Sequence, residues 1–217
     1  VRLSVAGEGW QNATRTREEQ IRVTGVEWQL PWVVALGYLS GSWLGALSVC
    51  RLAGAGSPYR SGSGNPGFSN VLRLHGMRLA LATLLVDVVK GMPVLALALA
   101  LGFPPWAQGL VGLAVLLGHS YPVWHRFSGG KAVASAFGAM LLLTPGVALL
   151  CATLWALLAW RVRTAAVASL ISAGLAPLAS LWLAPDYVSV VLAFTALVLA
   201  RHLLNIRRLR HGDEPVL

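Results

Sequence analysis

LALATLLVDVVKGMPVLALALAL, residues 79–101, is an apolar run broken only by Asp87 and Lys90. A hydrocarbon core is crossed by about 20 helical residues, so this stretch reads as a membrane span. The composition of the rest agrees. The chain has 217 residues, 56% hydrophobic and 12% charged, whereas soluble domains are about 45–50% apolar and about 25% charged. Outward from residues 79–101, six further apolar segments follow the same logic, at 29–51, 108–124, 132–144, 146–160, 165–183 and 187–204. The fourth of the seven, 132–144, is the weakest, being short and holding Ser135 and Gly138. The expected fold class is therefore all-α, a polytopic membrane protein with about seven transmembrane helices.

The net charge of +9 invites a nucleic-acid reading, but the basic residues fall in short gaps between apolar runs instead of covering a polar face. They read as topology. Arg51, Arg60, Arg73 and Arg78 follow the first segment, Arg126 and Lys131 the third, Arg161 and Arg163 the fifth, and Arg201, Arg207, Arg208 and Arg210 the seventh. The intervening loops carry no Lys or Arg, which places the basic loops and the C-terminus in the cytoplasm and the N-terminus outside. Residues 1–27 balance Arg2, Arg15, Arg17 and Arg22 against Glu8, Glu18, Glu19 and Glu27. With no apolar core of a signal peptide, they read as a polar, mobile lead-in. Residues 28–214 form the single membrane-embedded domain, and 215–217 a tail. Cys50 and Cys151 are too few and too far apart for a metal site and read as packing residues.

Six polar features stand out against this apolar background. Ser61-Gly-Ser-Gly-Asn-Pro-Gly-Phe-Ser-Asn70 has glycines that let backbone N–H groups converge on an anion, with Ser63, Asn65, Ser69 and Asn70 as side-chain donors. Such runs are also ordinary turns. Gly129-Gly130-Lys131 ahead of a helix makes a second anion site, although His125 and Ala132 exclude a Walker A loop. Asp87 and Lys90, three residues apart, share a helical face, and an internal ion pair and a functional role weigh about equally there. His119 alone reads as a packed histidine, and Ser42, beside the Gly37, Gly41 and Gly45 stripe, as a helix residue with a possible view of a site. His202, Asn205 and Leu209 share a face of the last helix.

Taken in order, Gly41-Ser42, Gly62-Ser63-Gly64-Asn65 with Gly67 and Asn70, Asp87 with Lys90-Gly91, Gly118-His119 with Pro122, Gly129-Gly130-Lys131, and Arg201-His202, Asn205-Ile206, Arg208-Leu209, Gly212, Glu214 resemble the bacterial acyl-phosphate:glycerol-3-phosphate acyltransferase family. The resemblance spans about residues 30 to 214. It implies a seven-helix enzyme of the cytoplasmic (inner) membrane, with its active-site loops on the cytoplasmic face. The reaction implied is transfer of an acyl group from acyl phosphate to the sn-1 hydroxyl of glycerol 3-phosphate, giving lysophosphatidic acid and phosphate.

By motif, the resemblance assigns catalysis to Lys131, His202, Asn205 and Ser42. It assigns phosphate binding to Arg51, Ser63, Gly64, Asn65, Gly67, Ser69, Asn70, Gly129 and Gly130, and positioning to Asp87, Lys90 and His119. It implies no metal, no cofactor and no covalent intermediate. The partners are the two substrates and the lipid bilayer, with no nucleic acid; oligomeric state is not specified. Two departures stand out. The family continues Ser-Ile-Pro where this chain has Ser42-Trp43-Leu44, and the lost proline is expected to straighten the helix end and shift Ser42. In the phosphate loop, Pro66 removes an N–H and Phe68 replaces a small residue. The alternative reading is a transporter or binding paralogue for an organic phosphate on the same scaffold, for which an internal repeat is expected and not seen.

Overall fold

The computed structural model describes residues 28–217, so the lead-in 1–27 lies outside the described residues. The described residues are helical without strands. In chain order they form α1 (Trp28–Gly41), α2 (Gly45–Leu52), α3 (Phe68–His75), α4 (Met77–Val89), α5 (Met92–Ala100), α6 (Pro105–Ser120), α7 (Val133–Leu143), α8 (Pro145–Val162), α9 (Ala165–Leu183), α10 (Val188–Arg201) and α11 (Leu203–His211). Three units are long and apolar enough to cross a membrane, and up to five if each bent pair is one span. Each expected segment overlaps a helix, and the sixth matches α9 to the residue.

Two expected spans are broken, and a third, which still runs as one 24-residue span over Met77–Ala100, carries a local turn. The first bends by 41° between α1 and α2, so the absence of proline at Leu44 does not straighten it. The second turns at Lys90-Gly91, where Pro93 deprives the new helix of one N–H. The seventh stops at Arg201 and turns by 50° into α11. His202 therefore caps α10 instead of continuing one face with Asn205 and Leu209.

α6 is the central post. Eleven of its 16 residues are buried, because small residues let neighbours approach on two sides. A Cβ at Gly41 or Gly118 would collide with backbone across the α1–α6 contact, and one at Gly112 with the Phe194 ring of α10. The glycine stripe of the first segment is therefore a packing surface. α8 is the opposite case, with three buried residues among 18 and with Leu149, Leu150, Leu157 and Trp160 facing outward, as a lipid-facing helix requires. In α9, Pro177 cannot donate to Ala173 four residues back; Thr195 Oγ1 donates to that freed carbonyl at 3.0 Å and ties α10 to α9.

The charged pair in the second span explains the break in the first. Lys90 Nζ lies 3.0 Å from Asp87 Oδ1 and donates to the Trp43 carbonyl at 2.8 Å; Asp87 Oδ1 in turn accepts from the Gly45 N–H at 3.1 Å. A cation thus meets the carbonyl end of α1 and an anion the N–H end of α2, each matching the local helix dipole. The Ser40 hydroxyl donates to the Lys90 carbonyl at the matching turn in α4–α5. Structural pairing is what these two residues do first, and both are more than nine-tenths buried.

Candidate active site

The phosphate-like loop is built by its own residues. Gly62 and Gly64 take φ of +62° and +71°, open to glycine at little cost. Asn70 turns back from α3: its Oδ1 accepts from the Ser63 N–H at 2.9 Å, and its Nδ2 donates to the Pro58 and Ser61 carbonyls at 2.9 and 3.1 Å. A Cβ at Gly62 would strike that same Oδ1. Asn70 is thus engaged in shaping the loop, with its amide groups taken. Gly67 caps α3, so the first N–H groups of that helix emerge beside Ser63, Asn65 and Ser69.

A cavity of about 370 Å³ joins this loop to the other polar features. Its polar end is lined by Ser63, Asn65, Gly67, Ser69, Asn70 and Arg73 from the loop and α3, by Lys131, and by His202, Asn205 and Glu214 from the C-terminal segment. Asp87 and His119 also reach it. Its other arm runs between α7, α8, α9 and α10, walled by small and apolar residues such as Ala136, Met140, Ala148, Ala176 and Phe194. Loops 61–70 and 129–131, far apart in sequence, open into one chamber.

Not every expected residue lines it. Ser42 is fully buried at the helix break, its Oγ donating to the Tyr38 carbonyl at 2.8 Å and accepting from the Val123 N–H at 3.4 Å. Arg51 is exposed on the last turn of α2 and lines a separate recess with Cys50, Gly54 and Ser57. Gly64, Gly129 and Gly130 lie outside the wall. The Gly130 N–H donates to the His119 carbonyl at 3.0 Å, and a Cβ at Gly130 would collide with His119 Nε2, so this glycine is required by the histidine ring. Lys90 donates to His119 Nδ1 at 2.7 Å; an ammonium only donates, so Nδ1 accepts and the ring proton sits on Nε2. His119 thereby links the ion pair to the Gly129-Gly130-Lys131 turn.

Three further residues complete the site. Arg201 donates to the Gly130 and Gly129 carbonyls at 3.0 and 3.1 Å and stacks over Tyr121, with 4.7 Å to the ring centroid, so it clamps the turn that carries Lys131. Arg73 donates to Ser63 Oγ at 3.4 Å and to the Val216 carbonyl at 3.3 Å. Asn205 donates to Glu214 Oε1 at 2.6 Å. Arg73 had a signal in the sequence, since it stands four residues after Ser69 on the same face of α3. Glu214 stands in the C-terminal motif, but its place in the chamber depends on contacts remote in the chain. His202 is buried, with Nδ1 donating to the Val198 carbonyl at 2.7 Å, so that in the neutral ring Nε2 is the nitrogen left to accept a proton. Among the described residues no cluster of three His, Cys, Asp or Glu could hold a metal.

Electrostatically the chamber is an anion trap. Burial pushes the Lys131 ammonium down to about 8; Arg73, Arg208 and Arg201 push the same way, and Glu214 opposes them. The charged form is the one that holds a phosphate. Binding is therefore expected to be intact below that value and to fall as pH rises through it, so kcat/KM should decline with slope approaching −1 above pH about 8. Lys131→Arg should remove that limb, because a guanidinium keeps its charge; rate profiles between pH 6 and 10 check both.

The comparisons with known proteins fit this geometry. Residues 31–212 match the model of the glycerol-3-phosphate acyltransferase family. A glycerol-3-phosphate acyltransferase of Chromohalobacter salexigens is 63% identical over 183 residues, covering 84% of this chain and 89% of the relative. One from Idiomarina loihiensis is 43% identical, covering 84% and 93%. Among solved structures, PlsY, an integral membrane glycerol 3-phosphate acyltransferase, superimposes in its glycerol 3-phosphate form with a TM-score of 0.81 at 30% identity, covering 87% of this chain and 96% of that one. Its lysophosphatidic acid form gives 0.78 at 31%, covering 87% and 95%. The chain belongs to the glycerol-3-phosphate acyltransferase family of integral membrane enzymes.

Proposed function

We propose that the protein transfers an acyl group from acyl phosphate to the sn-1 hydroxyl of glycerol 3-phosphate, giving lysophosphatidic acid and phosphate. The observation that carries this reading is the single chamber with two unlike arms: a cationic end of phosphate-binding type and an apolar end enclosed by helices. An acyl phosphate has both characters, and glycerol 3-phosphate adds a second anion at the polar end.

In this reading the N-terminus of α3, with Ser63, Asn65, Ser69 and Arg73, holds one phosphate, and Lys131 holds the other. The hydroxyl oxygen attacks the acyl carbonyl carbon, the bond from that carbon to the phosphate oxygen breaks, and the phosphate leaves with its new charge beside Lys131. His202 Nε2, unprotonated and on the chamber wall, takes the hydroxyl proton. The donor is already activated, so positioning and charge stabilisation in a dry site account for most of the rate. Ser42 acts here by holding the α1–α2 break, and Asn70 by shaping the loop. Residues 28–214 act as one domain.

We further propose seven crossings, with the N-terminus outside and the active-site loops and C-terminus in the cytoplasm. The alternation of basic and uncharged loops supports this. A cysteine at Ser63 is expected to react in intact cells with a permeant reagent and not with an impermeant one; labelling from outside would overturn the orientation. For the activity, purified protein in detergent with palmitoyl phosphate should release phosphate only when glycerol 3-phosphate is added. No acceptor-dependent release across several acyl lengths would remove the reading.

A further inference from the structure

The two arms of the chamber meet at an aromatic contact. Phe68, flanked by Gly67 and Ser69 of the phosphate-type end, sets its ring edge-on against Trp155 of α8, with centroids 6.2 Å apart and planes at 75°. Trp155 Nε1 donates to Ser169 Oγ of α9 at 2.9 Å, which fixes the indole. One turn further along α8, Cys151 and Ala152 already belong to the apolar arm. The Phe68 ring is held from behind by the small buried cluster that includes Ala46, Cys50, Val71 and Ala80. Both rings are pinned, and both line the chamber.

Resting on the reading that Lys131 holds the donor phosphate and the apolar arm the donor's tail, the geometry points to Phe68 and Trp155 as one wall of a throat that selects donors by the width of the carbons next to the acyl carbonyl. The carbonyl must lie where the two arms join. A straight methylene chain leaves that point with a slim cross-section; a methyl branch at the second carbon needs room that only ring movement can provide. Packed interiors yield little to added volume. Discrimination of this kind against one extra methyl is worth about ten-fold or more. The pattern is local to this chain's loop, where a bulky ring occupies the position between Gly67 and Ser69.

The test compares kcat/KM for palmitoyl phosphate and for its 2-methyl-branched analogue, in the purified full chain. Wild type is expected to favour the straight donor by about ten-fold or more. Phe68→Ala should bring that ratio below about three-fold, with Phe68→Leu between the two. A merely structural effect on the loop would instead raise KM for glycerol 3-phosphate and leave the ratio alone. Trp155→Phe, which removes only the tie to Ser169 and part of the ring, should also lower the ratio and serves if the alanine variant does not fold. Equal use of both donors by wild type, or an unchanged ratio in the variants, would overturn the throat. Turnover of the straight donor is read separately: its absence in wild type would overturn the acyltransferase reading itself.

Discussion

Lys131→Ala is expected to lower acceptor-dependent phosphate release by about 10²–10³-fold or more, with the protein still folded. Removing one preorganised donor from a developing anionic charge costs about that much in rate, and Lys131 carries a full charge in a partly buried chamber. Among the described residues its ammonium has no hydrogen-bond or ion-pair partner, so the group is free for a ligand and its loss leaves no orphan in the fold. The turn that carries it is held independently, by Arg201 on the Gly129 and Gly130 carbonyls and by the Gly130 N–H on His119. Steady-state rates with and without glycerol 3-phosphate, alongside a thermal unfolding curve, separate lost chemistry from lost structure. Retained turnover would remove Lys131 from the site.

The second large effect concerns stability. Asp87→Ala leaves Lys90 as an uncompensated cation in a span and the Gly45 N–H without its acceptor. Breaking a buried pair by removing one partner costs about 3–5 kcal/mol, which for a chain of this size corresponds to a fall in Tm on the order of 10 °C. The double variant Asp87→Ala/Lys90→Met is expected to recover part of the loss, because no unpaired charge remains. Thermal unfolding in detergent measures both. A single variant as stable as wild type would show that the α1–α2 break does not depend on the pair.

Much of the architecture was written in composition and period. The segment 165–183 carries no charged residue and is bounded by Thr164, just after Arg163, and Ala184, so its limits are local and readable. The break at residues 42–44 and the turn at 90–91 were not readable. A helix can stop inside a membrane only where its freed carbonyls and N–H groups meet partners, and here the partners of the first break are Asp87 and Lys90, more than 40 residues away. The charged pair was visible in the sequence; its capping duty was not. At the site, Ser63, Asn65, Ser69, Lys131, His202 and Asn205 all line one chamber. Ser42, Arg51 and Gly130 show the limit of reading residue types alone. A serine hydroxyl can face a site or bond back four residues, and a glycine can cradle an anion or make room for a histidine; only the neighbours decide. Glu214 entered the chamber through the folding back of the last residues, a placement fixed by Asn205 and by the Arg73 hold on Val216.

In the proposed reaction one chamber joins a donor's acyl group to an acceptor's hydroxyl. Its most direct test is mass spectrometry of the products formed by the purified protein from palmitoyl phosphate and glycerol 3-phosphate. Lysophosphatidic acid acylated at sn-1 is expected, formed in equal amount with free phosphate. Free fatty acid as the only acyl product, or binding of glycerol 3-phosphate without any new lipid, would contradict it.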